Sequence, residues 1–162
     1  GTDAPTEAAA APPDMDRAVA GLAERLKNEP DDLEGWMLLG RAYKTMERFE
    51  PAREALANAF RLAPENPDVM IEYAEAQVLA SPTRRFEGEP LALLQRAVQA
   101  QPQSQRGLWL LGIASYQKND FAAAAATWEQ LLAVLPAEAE PRAHPLHPDR
   151  QTRPVEDGLQ AR

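Results

Sequence analysis

The stretch from Gly35 to Pro64, GWMLLGRAYKTMERFEPAREALANAFRLAP, constrains the fold more than any other part of the chain. It reads as two short amphipathic helices joined by a tight turn and closed by a proline, and similar stretches recur before and after it at intervals of about 34 residues. A period in that range marks a helical repeat array, in which each helix pair buries its apolar face against its sequence neighbours. An array of this kind is a binding surface before it is anything else.

Within that stretch Trp36, Leu39, Gly40 and Tyr43 share one face of the first helix, and Ala52, Leu56 and Ala59 share one face of the second. Large residues opposite small ones let the pair pack antiparallel at close range, with Gly40 and Ala52 as the contact points. Pro64 stops the second helix and turns the chain into the next unit. A later unit repeats the pattern with Leu108, Leu111 and Gly112, then Ala124, Trp128, Leu131 and Pro136. Its turn, Asn119-Asp120, suits a left-handed residue, whereas the matching Glu47-Arg48 is a poorer choice. The middle unit is degenerate: Met70, Tyr73 and Ala74 match its first helix, and Leu94, Ala97 and Pro102 its second. An insertion separates the two helices within Ser81 to Pro90, SPTRRFEGEP, where Pro82, Gly88 and Pro90 signal a loop.

Residues 1–13 have the Pro- and Ala-rich composition of a flexible linker. Asp14 is expected as an N-cap, followed by Met15, Val19, Leu22 and Leu26 on one face of an extra helix over 14–29. The repeats then occupy about 33–66, 67–104 and 105–138, and residues 139–162 form a Pro-rich tail, disordered or extended. No C-terminal capping helix is legible, which predicts that Leu132 and Leu135 are left partly uncovered.

Composition removes several function classes. With 17 basic against 25 acidic residues the net charge is −8, which argues against nucleic acid as a partner. The absence of Cys removes thiolate catalysis and thiolate metal sites, and no apolar run is long enough to cross a membrane as a helix. His144 and His147 stand among prolines that deny them a common helical face, so no metal site is expected there. Glu72 with Glu75 reads as an ordinary exposed helix face. With no phosphate loop and no nucleophile elbow, the chain is expected to be no enzyme and to hold no cofactor or metal. Arg84-Arg85 beside Phe86 reads as a solvated pair, and the insertion that carries it is expected to alter the curvature of the groove it borders.

Trp36, Leu39, Gly40, Tyr43, Ala52, Leu56, Ala59 and Pro64 resemble the tetratricopeptide (TPR) signature, with Leu56 in place of the usual aromatic, and Gly112, Ala124, Trp128 and Pro136 repeat it in phase. The resemblance implies an all-α TPR solenoid of three repeats with an extra N-terminal helix, spanning residues 14–138. A narrower likeness rests on Gly88-Glu89-Pro90, LWLLGIASYQKNDFAAA (Leu108 to Ala124) and TWEQLLAVLP (Thr127 to Pro136). These resemble the periplasmic TPR region of the CcmI/CycH-type subunit of bacterial cytochrome c maturation. The TPR haem-lyase subunit that serves formate-dependent nitrite reductase is a similar sister family. The likeness implies a periplasmic module of an inner-membrane protein, whose membrane anchor is absent from this chain. Its implied partners are the C-terminal helix of apocytochrome c, held for haem ligation, and the other subunits of the haem-ligation complex. A generic TPR scaffold that assembles a membrane-associated complex is the alternative.

In a TPR stack the first helices line the concave face, and successive positions at helical period form one stripe. The stripe yields Met37, Arg41 and Lys44 from the first unit, Ile71, Glu75, Val78 and Leu79 from the second, and Arg106, Trp109, Ile113 and Tyr116 from the third. These are the candidate peptide-binding residues. An amphipathic ligand helix would set its apolar face on Ile71, Val78, Trp109, Ile113 and Tyr116 and its charges on Arg41, Lys44 or Arg106. The Lys and Asn carboxylate clamp of chaperone-binding TPR domains is missing at Met37, Arg41, Ile71 and Glu75, which favours a helix as ligand. Trp109 and Tyr116 fit either groove or core, whereas Trp36, Tyr43 and Trp128 fit the core.

Overall fold

The computed structural model describes residues 13–136, and all its regular elements are helical: α1 (Pro13–Asn28), α2 (Leu33–Thr45), α3 (Phe49–Leu62), α4 (Pro67–Leu79), α5 (Glu89–Ala100), α6 (Gln105–Gln117) and α7 (Phe121–Val134). Each helix packs on the next, most intimately within the hairpins α2/α3, α4/α5 and α6/α7. The result is an all-α helical-repeat fold. No helix among the described residues is long and apolar enough to cross a membrane. The remainder of the proposed linker, and the proposed tail with His144 and His147, lie outside the described residues.

Each first helix starts on a side-chain cap. Asp32 accepts from the Gly35 amide at 2.9 Å, Asn66 from the Asp68 and Val69 amides, and Ser104 from the Gly107 amide at 3.0 Å. These bonds satisfy amides that the helix itself leaves unpaired. Asp14 departs from expectation: α1 begins at Pro13, so Asp14 lies in the first turn with Asp16. Proline is pre-set for the first helical position, and a carboxylate there favours the positive end of the helix dipole.

Gly40 seats Leu56, since a β-carbon at Gly40 would come within 2.4 Å of the Leu56 Cγ. In the third unit Gly112 seats Trp128, with the indole Nε1 1.9 Å from where a β-carbon would stand. In the middle unit Ala74 and Leu94 occupy the corresponding places, both fully buried in one cluster. The core is thus a chain of three clusters. Val19, Leu26, Leu39 and Ala55 join α1 to α2 and α3; Leu56, Ala59 and Val69 join α3 to α4; Met70, Leu94 and Leu110 join α4 to α6. Trp36 and Tyr43 are half-buried against these clusters, and Trp36 Nε1 donates to the Pro30 carbonyl at 2.9 Å.

Helices α2 and α6 end identically. The Arg48 amide donates to Tyr43 O while Glu47 donates to Lys44 O, and Asp120 donates to Ser115 O while Asn119 donates to Tyr116 O. This paired pattern requires a left-handed residue between helix and turn, supplied by Glu47 at φ 59° and Asn119 at φ 64°. Asn adopts that conformation with little strain; Glu does not. Glu47→Gly is therefore expected to stabilise the protein by about 0.5–1 kcal/mol, the relief of strain exceeding the added entropy of the unfolded chain. A thermal melt checks this, and an unchanged or lower Tm would mean that the Glu47 side chain has a compensating contact.

Candidate peptide-binding groove

Helices α2, α4 and α6 present neighbouring faces joined by one alternating chain of charges. Arg41 Nε lies 3.1 Å from Glu72 Oε2; Lys44 Nζ bridges Glu72 Oε1 at 2.7 Å and Glu75 Oε1 at 2.9 Å; and Arg106 meets the remaining oxygen of Glu75. Each of the four carboxylate oxygens of Glu72 and Glu75 holds one cation. Lys44 and Glu75 are each only 15% exposed, so water screens their pairing far less than that of a surface pair.

Burial raises the Glu72 carboxyl, but the hydrogen bond and charge of Lys44, joined by those of Arg41, outweigh it and hold the group below its usual 4.5. A carboxyl depressed in the folded state contributes stability that is present above its unfolded value and lost as pH falls through its folded value. Tm is accordingly expected to fall as the solution is acidified below about 4.5, and to fall less in Glu72→Gln. Parallel pH profiles for the two proteins would remove Glu72 from that acid response.

Beside this network, α4 and α6 enclose a pocket of about 270 Å³. Val78, Leu79, Leu110, Ile113 and Trp109 form its apolar wall, Glu75 and Arg106 stand in its lining, and Arg84 and Phe86 reach it from the middle insertion. The volume is below the ~300–1,000 Å³ of small-molecule sites and suits one inserted side chain.

The insertion is braced on both sides. Phe86 is buried; its amide donates to Gln117 Oε1 at 2.8 Å, and Gln117 Nε2 donates to Arg84 O at 2.9 Å. Arg85 donates to the Gln117 carbonyl at 3.1 Å. The Arg84 guanidinium lies 5.1 Å from the Phe49 ring centroid at the start of α3. One loop therefore ties the first unit to the third across the end of α4. Arg84-Arg85, expected as a solvated pair, are both exposed, and each also makes a contact, Arg84 with the Phe49 ring and Arg85 with the Gln117 carbonyl, because a buried Phe86 draws the loop down onto Gln117.

Trp109 and Tyr116 are surface residues, 45% and 56% exposed. Trp109 stacks on Trp128 with centroids 5.4 Å apart, and Trp128 Nε1 donates to the Trp109 carbonyl at 3.2 Å. Tyr116 meets Phe121 edge-on at 5.1 Å. Trp128, expected in the core, is half-buried over Gly112 beneath these aromatics.

The candidate residues thus divide. Glu75, Val78, Leu79, Arg106, Trp109 and Ile113 come together at the pocket. Met37 and Ile71 do not offer a free surface: they are 8% and 4% exposed and pack into the clusters between repeats. Val78 is also core, 5% exposed, and shows the pocket only an edge. Adjacent helices lie close enough for side chains of this length to fill the interface. Arg41, Lys44 and Arg106, expected to receive the charges of a ligand, are already engaged by Glu72 and Glu75. Glu72 was legible only as an exposed-face carboxylate, because its partners Arg41 and Lys44 lie a full repeat away in sequence. Arg84 and Phe86 carried no signal beyond their place in the insertion.

The cytochrome c-type biogenesis protein H TPR-domain family model matches residues 3–142. Cytochrome c-type biogenesis protein CycH of Pseudomonas aeruginosa is 35% identical over 132 residues, covering 82% of this chain and 32% of the relative. Cytochrome c-type biogenesis protein CcmH of Escherichia coli is 34% identical over 132 residues, covering 80% and 37%. The chain spans about a third of the length of these curated relatives. Among solved structures, MamA superposes with a TM-score of 0.64 at 19% identity, over 75% of this chain and 68% of MamA, a likeness of fold.

Proposed function

The chain belongs to the cytochrome c-type biogenesis protein H TPR-domain family, and from that premise we propose that it is a non-catalytic module that holds the C-terminal helix of an apocytochrome c in the periplasm for haem ligation. The observation that carries the reading is the pocket between α4 and α6, which pairs an apolar wall with a half-exposed Trp109. Helix-in-groove recognition uses such a pocket to seat one large apolar side chain of the ligand, while neighbouring residues exclude water. The absence of Cys fits the role, since a thiol on this chain would compete in exchange with the haem-binding cysteines of the client.

The test is titration with a peptide copying the C-terminal helix of a c-type cytochrome, beside a scrambled peptide of the same composition. Saturable binding of the first alone is expected. No binding, or equal binding of both, would overturn the client-helix reading. The alternative, a TPR scaffold joining the subunits of a haem-ligation complex, draws on a different surface: Phe121 and Leu132 of α7 and Leu135 just beyond it are exposed, Leu132 by 69%.

A further inference from the structure

Three of the four cations on or bordering the α2–α4–α6 face are neutralised from within: Arg41 by Glu72, Lys44 by Glu72 and Glu75, and Arg106 by Glu75. Arg84, on the insertion after α4, is the fourth. It lines the pocket, its side chain is exposed, and no carboxylate pairs with it among the described residues. Its position is nevertheless fixed. The backbone is left-handed at φ 57°, Gln117 Nε2 holds its carbonyl at 2.9 Å, buried Phe86 anchors the loop two residues on, and the guanidinium rests over the Phe49 ring at 5.1 Å. Stacking on an aromatic face leaves the in-plane N–H groups of an arginine free, and those are the groups that grip a carboxylate in a fork. A preorganised, unpaired cation at the rim of an apolar pocket is complementary to an anion beside an apolar side chain.

We propose that Arg84 is the specificity-determining cation of the groove, selecting client helices that carry a side-chain carboxylate one helical turn from the apolar residue seated between α4 and α6. The inference rests on the client-helix reading and adds the chemistry that distinguishes one helix from another. Residues three or four apart on a helix share a face, so one ligand helix presents both groups to Trp109 and Arg84 together. The engaged cations cannot make this selection without surrendering Glu72 or Glu75.

The experiment uses the whole chain and client-helix peptides with amidated C-termini, so that only side-chain carboxylates are offered. One peptide carries Glu a turn away from its apolar anchor and its twin carries Gln. Wild-type protein is expected to bind the Glu peptide about fivefold more tightly at low salt, with the difference shrinking as salt is added. Arg84→Gln abolishes the discrimination, and Arg84→Glu transfers the preference to a Lys peptide, with Tm little changed in both. Equal binding of the Glu and Gln peptides by wild type, or discrimination that survives Arg84→Gln, overturns the inference and leaves the client-helix reading standing. Failure of wild type to bind either peptide overturns both.

Discussion

Gly112→Ala is expected to destabilise the protein by about 3 kcal/mol, the upper part of the range for overpacked cores, and to lower Tm by roughly 10 °C. The added methyl would stand 1.9 Å from Trp128 Nε1 and 2.4 Å from Cε2. The indole is rigid and cannot flex aside as an aliphatic chain does. It is also held from two other directions, by the hydrogen bond from its Nε1 to Trp109 O and by the stacked Trp109 ring. Relief requires that α6 and α7 separate, and α7 has little else to hold it, because Ala124 is its one buried residue. The damage should concentrate there: amide exchange in α6 and α7 should rise more than in α2 and α3, as expected of an array whose units touch only their neighbours. The cause is isolated by a double-mutant cycle. In a Trp128→Leu background the same glycine substitution should cost less than about 1 kcal/mol. An equal cost in both backgrounds would mean that the indole is not what excludes the methyl.

The same contact shows which parts of the fold could be read from the sequence. Gly112 and Trp128 lie on adjacent helices within one repeat, and the small-opposite-large rule that pairs them is local. So is the Asn119 turn; the caps Asp32, Asn66 and Ser104 are equally local, although the one N-cap expected from the sequence, Asp14, lies inside its helix. Repetition multiplied these signals, because Glu47 becomes legible as a strained C′ residue only when aligned with Asn119. The groove was less legible. Helical periodicity placed Met37, Ile71 and Val78 on the concave stripe, but it cannot report how closely neighbouring repeats approach, and that distance decides whether such a side chain fills an interface or faces a ligand. The charge chain was hidden for the same reason: Lys44 and Glu75 are 31 residues apart and meet only after the repeats stack. In the insertion, composition correctly signalled a loop, yet the bond from Phe86 N–H to Gln117 that makes it a brace between repeats depends on tertiary placement.

Trp109→Ala is expected to weaken binding of the client-helix peptide by about 2 kcal/mol, roughly 30-fold in Kd, the scale of a central aromatic anchor. The effect on stability should be much smaller. Trp109 is 45% exposed, and its main intramolecular partner is the Trp128 ring; losing an aromatic pair costs about 0.5–1.5 kcal/mol, or about 2–6 °C in Tm. The two readouts separate groove from core. A core residue loses stability first and affinity only through unfolding, whereas an anchor loses affinity at temperatures where the protein is fully folded. Tyr116→Ala supplies the contrast: it is more exposed, but it lies against Phe121 and Trp128 and lines no part of the pocket between α4 and α6, so its loss should change Kd less than threefold, within the range of energetically near-neutral interface contacts. If Tyr116→Ala weakened binding as much as Trp109→Ala, the ligand would have to lie over the aromatic cluster of α6 and α7, and the pocket would cease to be its anchor point. If Trp109→Ala left Kd unchanged while lowering Tm by more than about 10 °C, Trp109 would be a packing residue despite its exposure, and Ile113 and Leu79 would be the remaining groups on that wall able to seat a client side chain.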